Sequence, residues 1–169
     1  KFSPMMIALR EAIDKGMIGT VTELEISLSV GTPWHLWPFL ETLDNVEVPL
    51  HSIHYIDWIR SVLGNPKSVH CKSIKHPKLP NLSDARSSII LEYEDDVRCC
   101  LSINHTHDNS MHGMKHSHAY ARVEGLDGAA YIKFGLLLDY PNGEPEEIEI
   151  STKDADWTKV QNVGTWFPD

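Results

Sequence analysis

The second half of the sequence alternates short strand-like segments with turn signals, and this pattern predicts a sheet. RSSIILEY and VRCCLSINH flank residues 94–96, HAYARVEG and AAYIKFG flank residues 125–128, and LLLDY and EEIEIS flank residues 141–143. Consecutive strands joined by such short turns pair antiparallel. KSVHCKSIK also reads as a strand, and TVTELEISLSV, nearer the start, alternates apolar with polar residues as a strand with one buried face does.

Two helices are predicted ahead of most of these strands. SPMMIALREAIDKG has Ser3 in position to cap a helix and Gly16 in position to end it, and EVPLHSIHYIDWIRSVLGNP, residues 47–66, ends at Gly64. Between them, GTPWHLWPFLETLDN loses periodicity and is predicted to be a loop. The fold class expected from this order is α+β: a largely antiparallel open sheet with helices on one face.

Two helices can cover only one face of a sheet of this size. SSIILEY and GLLLDY are apolar beyond simple alternation, so part of the second face is expected to need a partner. We therefore expect that face to be available for dimerisation, in a homodimer or a higher homo-oligomer. The length of 169 residues suits a single domain.

Composition excludes several classes of protein. A net charge of −9, with scattered lysines, argues against a nucleic-acid partner. No apolar run is long enough to span a bilayer, so no membrane partner is expected. The three cysteines lack paired spacing and indicate reduced thiols in a cytoplasmic protein, with the neighbours Cys99 and Cys100 on opposite faces of a strand.

The segment 47–66 carries both core-type and chemistry-bearing residues. At 100° per residue, the face predicted to enter the core comprises Ile53, Ile56, Ile59 and Leu63. The opposite face comprises His54 and, around it, Leu50, His51, Asp57, Trp58 and Ser61. This second face either is solvated, with a His–Asp pair that stabilises the helix, or looks into a cleft where His54 handles a proton. Periodicity alone does not decide between the two.

Three motifs in order make the chain resemble a known family. They are KGMIGTV, a helix with His54 and Asp57 that exits through Gly64 and Pro66, and ARVEGLDGAAYI. Together they resemble the C-terminal domain of the glucose–fructose oxidoreductase and inositol dehydrogenase (Gfo/Idh/MocA) family. The resemblance implies two domains, and this chain matches only the second: it has no G-x-G-x-x-G and no E-K-P motif. Residues 1–169 are therefore expected to be the substrate-binding and oligomerisation domain, without the N-terminal Rossmann domain and the final C-terminal helix.

The resemblance also implies a function. It implies the substrate-binding domain of an NAD(P)-dependent oxidoreductase that transfers hydride between a nicotinamide and a sugar, polyol or related hydroxy compound. NAD or NADP would be bound mainly by the N-terminal domain, so the full-length protein is expected to be an enzyme and the isolated chain to be inactive.

In that resemblance His54 matches the catalytic histidine of the family, which hydrogen-bonds the substrate hydroxyl. The family aspartate four residues earlier is Leu50 here. Either His54 and the lysine of the other domain suffice, or His51 compensates, or the chain is a non-catalytic carbohydrate-binding and dimerisation module of the same fold. Asp57 is expected to have a supporting role.

Trp34, His35 and Trp37 form the next candidate site. Aromatic rings can stack on a sugar while the histidine between them bonds its hydroxyls. The alternative is a loop whose tryptophans only cover the core.

A histidine cluster follows the strand VRCCLSINH. His105 and His107 are two residues apart and are expected to share a face, as are His112 and His116 if that stretch is helical. A metal-dependent enzyme centred here is one hypothesis, but no Cys-x-x-Cys or His-Glu-x-x-His motif supports it. We expect no metal, and favour a polar rim to the substrate pocket or a mobile loop.

Overall fold

One eight-stranded sheet dominates the computed structural model, which describes residues 3–94, 96–107, 117–135 and 146–161. The strands are β1 (Val21–Ser29), β2 (Ser68–Ile74), β3 (Arg86–Glu92), β4 (Arg98–Asn104), β5 (His118–Gly125), β6 (Gly128–Lys133), β7 (Glu147–Thr152) and β8 (Ala155–Lys159). Their order across the sheet is β2-β3-β4-β1-β5-β6-β7-β8. Only β1 and β4 pair in parallel among these strands. The predicted α+β class with a largely antiparallel open sheet is confirmed.

Two of the three predicted hairpins are confirmed. β3 pairs with β4 and β5 pairs with β6, both antiparallel. For the third, LLLDY lies outside the described residues, while EEIEIS forms β7, which pairs with β6 and β8. Strand β8 was not predicted from the sequence. Cys99 is buried and Cys100 half-exposed, as expected for neighbours on opposite faces.

The β5–β6 turn explains the Gly-x-x-Gly motif. A Cβ added at Gly125 would lie 2.2 Å from the carbonyl oxygen of Ile18, and one at Gly128 would lie 2.2 Å from that of Ser151. Both distances are far below a van der Waals contact, so the backbones approach this closely only because these positions lack a side chain.

Helical segments precede and follow β1. The helices are α1 (Pro4–Asp14) and α2 (Ile53–Leu63), with two 3₁₀ turns (Trp34–Leu36 and Pro38–Thr42) and one π-helical turn (Val48–Ser52) between them. The segment predicted to be a loop therefore contains helical turns. The prediction that Ser3 caps α1 is wrong, because its buried hydroxyl makes no hydrogen bond within the described part of the chain.

Both helices pack against one face of the sheet and share a single apolar core with it. Within α2 the buried residues are Trp58 and Ile59, and Ile53 is 44% exposed. The indole N–H of Trp58 donates to the carbonyl oxygen of Met6 at 3.2 Å, which joins α2 to α1. The prediction that Ile53 faces the core and Trp58 faces away is wrong: the buried side of α2 is centred on Trp58 and Ile59, and Ile53 lies about 120° around the helix from Ile59.

The other face of the sheet is uncovered in the described chain and is more polar than expected. Ile90 is 50% exposed there, and the rings of Tyr120 and Tyr131 stack with centroids 5.4 Å apart. Arg122 and Glu124 form an ion pair beside them. Among the described helices, none has both the length and the apolarity needed to cross a bilayer.

Candidate functional site

A cavity of about 550 Å³ opens near the end of β1, beside the 3₁₀ turns and the start of the α2 region. Its walls are mostly aromatic and apolar, and include Trp34, Trp37 and Phe134. One carboxylate and two imidazoles contribute to its lining: Glu47, His51 and His105. A largely apolar cavity of this volume with a few convergent polar groups is typical of a small-molecule site.

The π-helical turn Val48–Ser52 places Glu47 at the cavity. Residues five apart stack in such a turn, and the hydroxyl of Ser52 donates to Oε1 of Glu47 at 2.6 Å. At the entrance to the turn, Oδ1 of Asp84 accepts the backbone N–H groups of Val46 and Glu47 at 2.6 and 3.1 Å. A carboxylate from the segment before β3 thus satisfies donors that a helix start leaves free.

Glu47 is fully buried yet keeps its charge. Burial acts to raise the pKa of its carboxyl, but the nearby His105 and the hydroxyls of Ser52 and Ser87 outweigh it, so the pKa lies below its ordinary value. Oε1 lies 3.9 Å from Nδ1 of His51 and 3.8 Å from Nε2 of His105. Neither distance is a hydrogen bond.

The two histidines meet edge to face, with ring centroids 4.1 Å apart. Burial and the neighbouring His105 lower the pKa of His51 to about 3, so His51 is neutral at physiological pH. His105 is held rigidly: its Nδ1 lies 2.9 Å from the hydroxyl of Thr32, and its backbone bonds both Thr32 and Ala85. The ring of Trp34 packs edge-on against it at 5.5 Å.

The structure separates the residues proposed from sequence into two groups. The cavity is lined by Trp34, Trp37, Leu50, His51 and His105. His54 and His35 are exposed and do not contribute to this lining, and Asp57 is half-buried on α2.

The expectation that His105 and His107 share a face is wrong. His105 is buried against His51, whereas Nδ1 of His107 lies 3.0 Å from the hydroxyl of Ser29, on the opposite side of β1 from the core residue Leu28. β4 ends at Asn104, so strand alternation does not apply to residues 105–107. His112 and His116 lie outside the described residues.

A family model for the GFO/IDH/MocA C-terminal domain matches residues 6–131. The chain belongs to this family. No curated protein sequence is significantly similar to it.

Solved structures of oxidoreductases share the Gfo/Idh/MocA fold of the chain. An oxidoreductase from Agrobacterium radiobacter, in complex with NAD+, L-tartaric acid and magnesium, has a TM-score of 0.75 at 13% identity, over 96% of this chain and 44% of that one. Aldose-aldose oxidoreductase from Caulobacter crescentus, complexed with glycerol, has a TM-score of 0.70 at 12% identity; the match covers 97% of this chain and 46% of that one. An inositol dehydrogenase homolog from Azotobacter vinelandii, complexed with NADH and myo-inositol, has a TM-score of 0.69 at 12% identity; the match covers 99% of this chain and 45% of that one. The chain thus spans less than half the length of each.

Glu47 is the site residue that sequence reasoning missed. It precedes His51 by four residues, the same spacing as the Asp–His pair that the family resemblance implies, but three positions earlier in the chain. That spacing could have been detected in the sequence. The burial of Glu47 and its proximity to His105, 58 residues later, could not be detected there.

Proposed function

We propose that the chain is the substrate-binding domain of an NAD(P)-dependent oxidoreductase acting on a sugar, polyol or related hydroxy compound. The cavity is the observation that supports this best. Aromatic walls suit the C–H faces of a sugar, and the polar groups of Glu47, His51 and His105 suit its hydroxyls. The complexes of similar structures with myo-inositol, glycerol and L-tartaric acid are consistent with a polyhydroxy ligand.

The nicotinamide cofactor would be bound mainly by an N-terminal domain. This sequence contains no G-x-G-x-x-G, so its residues do not fit the phosphates of a dinucleotide. When bound, NAD or NADP supplies the hydride acceptor or donor. The chain itself would bind and orient the substrate, and alone it is expected to be inactive.

Two histidines are proposed to contact the substrate. His54 corresponds to the catalytic histidine of the family and is proposed to take the proton of the reacting hydroxyl, with half-buried Asp57 in support. His51 lines the cavity and is proposed to contact another substrate oxygen. Trp34, Trp37 and His105 complete the proposed substrate contacts. The exposed His35 and the half-buried His107 are proposed to lie at the rim.

Replacing His54 with asparagine in the full-length protein is expected to lower kcat about 100-fold or more, because proton transfer contributes at least that much. Reduction of NAD and NADP is followed with a panel of sugars and inositols. The matched control is His70→Asn, an exposed histidine on β2. A full-length protein that neither binds NAD(P) nor oxidises any of these compounds would refute the proposed function. Unchanged kcat in His54→Asn with loss in His51→Asn would move the catalytic role to His51.

A non-catalytic carbohydrate-binding module is the second candidate function. Leu50, which occupies the position of the family aspartate and is 45% exposed, is the observation that favours it. If the chain is such a module, polyol binding is expected to quench the fluorescence of Trp34 and Trp37. The complete protein is then expected to leave the cofactor unreduced.

The uncovered sheet face is proposed to bind a second copy of this chain. Its exposed Ile90, its stacked tyrosines and its paired charges can complement the same surface related by a two-fold axis. Ile90→Lys is expected to shift a dimer towards monomer, because a two-fold interface contains the new charge twice.

Size-exclusion chromatography with light scattering measures this shift. Ile7→Lys, the same change at an exposed isoleucine of α1, is the matched control and is expected to leave the dimer intact. A monomeric wild type, or an Ile90→Lys dimer as tight as the wild type, would contradict the proposal.

A cytoplasmic location is proposed from the thiols. Cys71, Cys99 and Cys100 are all free, which a reducing compartment maintains. Burial raises the pKa of Cys99 to about 12, so this thiol is unreactive there.

A further inference from the structure

We propose that Glu47, His51 and His105 bind one divalent transition-metal ion at the cavity. One ligand atom from each residue lies within 4.8 Å of the other two. One carboxylate and two imidazoles are a ligand set that zinc and related ions accept. Metal binding here does not depend on oxidoreductase activity.

The spacing of the three ligands is close to that of a loaded site. Bonds of about 2.1 Å to a tetrahedral ion would put ligand atoms about 3.4 Å apart. Oε1 of Glu47 is 3.9 Å from His51 and 3.8 Å from His105. Shifts well under 1 Å would therefore bring either histidine nitrogen to that distance from Glu47, and His51, whose side chain is one-third exposed, has room to move.

Each of the three side chains also has a buried polar atom without a hydrogen-bond partner among the described residues, which for Glu47 is the oxygen that Ser52 does not contact. Oε2 of Glu47, Nδ1 of His51 and Nε2 of His105 are all buried, and none has a hydrogen-bond partner within the ranges that the structure describes. Buried polar atoms are normally satisfied, so three unpartnered polar atoms on neighbouring side chains indicate an occupant. The side chains of Glu47 and His105 are 0% and 5% exposed, so bulk water does not satisfy them.

The surrounding residues orient these ligands as the outer shell of a metal site does. The hydroxyl of Thr32 lies at Nδ1 of His105 and leaves Nε2 facing Glu47. Ser52 fixes the Glu47 carboxylate, and Asp84 fixes its backbone. The ligands are therefore held before any ion arrives.

An ion here would have positions open to substrate. Three protein ligands are typical of catalytic rather than structural zinc, since structural sites use four. All three ligands line the cavity, so the open side faces whatever fills it. Hydroxyl or carboxylate oxygens of a polyhydroxy compound are the ligands that would complete the coordination.

A second group with similar spacing lacks these properties. Glu23, Glu25 and Cys100 also lie within 4.8 Å, but on the uncovered face. Glu23 accepts two bonds from Arg98, and Glu25 accepts the hydroxyl of Tyr120. Its carboxylates are already satisfied, which makes it a useful control.

The test is Zn²⁺ binding to chelator-treated protein, measured by calorimetric titration, with bound metal counted by elemental analysis. The wild type is expected to bind one ion that Glu47→Gln does not, with the dissociation constant of this site raised more than about 100-fold, because even loss of outer-shell partners costs 10–100-fold. Glu25→Gln, the same change in the satisfied group, is expected to bind as the wild type does.

Circular dichroism verifies that each variant folds. His51→Asn removes a second ligand from the less buried side of the site and serves if Glu47→Gln unfolds; it is expected to lose the same ion. A wild type without a stoichiometric ion would overturn the proposal. So would retention of the ion by both cavity variants, or its loss from Glu25→Gln instead.

Discussion

Replacing Trp58 with alanine is expected to lower the free energy of unfolding by about 4 kcal/mol. Trp58 is fully buried where α2 meets α1 and the sheet, and its removal leaves a large cavity that neighbouring side chains cannot fill. The change also removes the donor to the carbonyl oxygen of Met6. Urea denaturation followed by circular dichroism measures the loss.

Two variants separate the contributions to this effect. Trp58→Phe keeps most of the ring and removes the indole N–H, so a smaller loss, close to the value of one hydrogen bond plus a small void, is expected. Trp157→Ala, at a tryptophan of β8 that is 43% exposed, is the matched control and is expected to cost much less. A Trp58→Ala protein as stable as the Trp157→Ala protein would contradict the role of Trp58 in anchoring α2 to the core.

The sheet was predictable from sequence because its signals are local. Leu24, Ile26 and Leu28 alternate with polar residues in β1, and all three are buried. Turn residues then mark where β3 gives way to β4 and β5 to β6. The position of β1 between β4 and β5 was not predictable in the same way, because that pairing joins residues about 75 to 100 positions apart.

The orientation of α2 was not predictable from uniform helical periodicity. The π-helical turn at Val48–Ser52 changes the angle between residues before and after it, so His51 lines the cavity while His54 is exposed. Counting 100° per residue assigned Trp58 to the face of His54, yet its side chain is buried and its indole N–H bonds inside the core.

Only some residues of the candidate site were predictable from the sequence. His51, His105 and the tryptophans were recognisable as residue types that bind sugars. Glu47 was not, because a glutamate is usually exposed and only its tertiary contacts reveal it as buried. Asp84, which holds Glu47 in place, is 37 residues away in sequence.

Replacing Asp84 with alanine is expected to lower the free energy of unfolding by about 3 kcal/mol, because buried donors left without an acceptor cost about 1–3 kcal/mol each. Asp84 is buried and accepts the N–H groups of Val46 and Glu47 and the hydroxyls of Ser73 and Ser83. Chemical denaturation measures the loss. Asp44→Ala, at an exposed aspartate of the same segment, is the control and is expected to change stability by less than about 0.5 kcal/mol.

The same variant tests whether this carboxylate also positions the site. Without Asp84 the backbone of Glu47 loses its anchor, so Zn²⁺ affinity is expected to fall about 10- to 100-fold, as for loss of an outer-shell partner. Asp84→Asn keeps one acceptor oxygen for Val46 and Glu47 and is expected to recover part of both losses. Reduced stability with unchanged Zn²⁺ affinity would instead mean that Asp84 only caps the helical turn and that Ser52 alone orients the carboxylate.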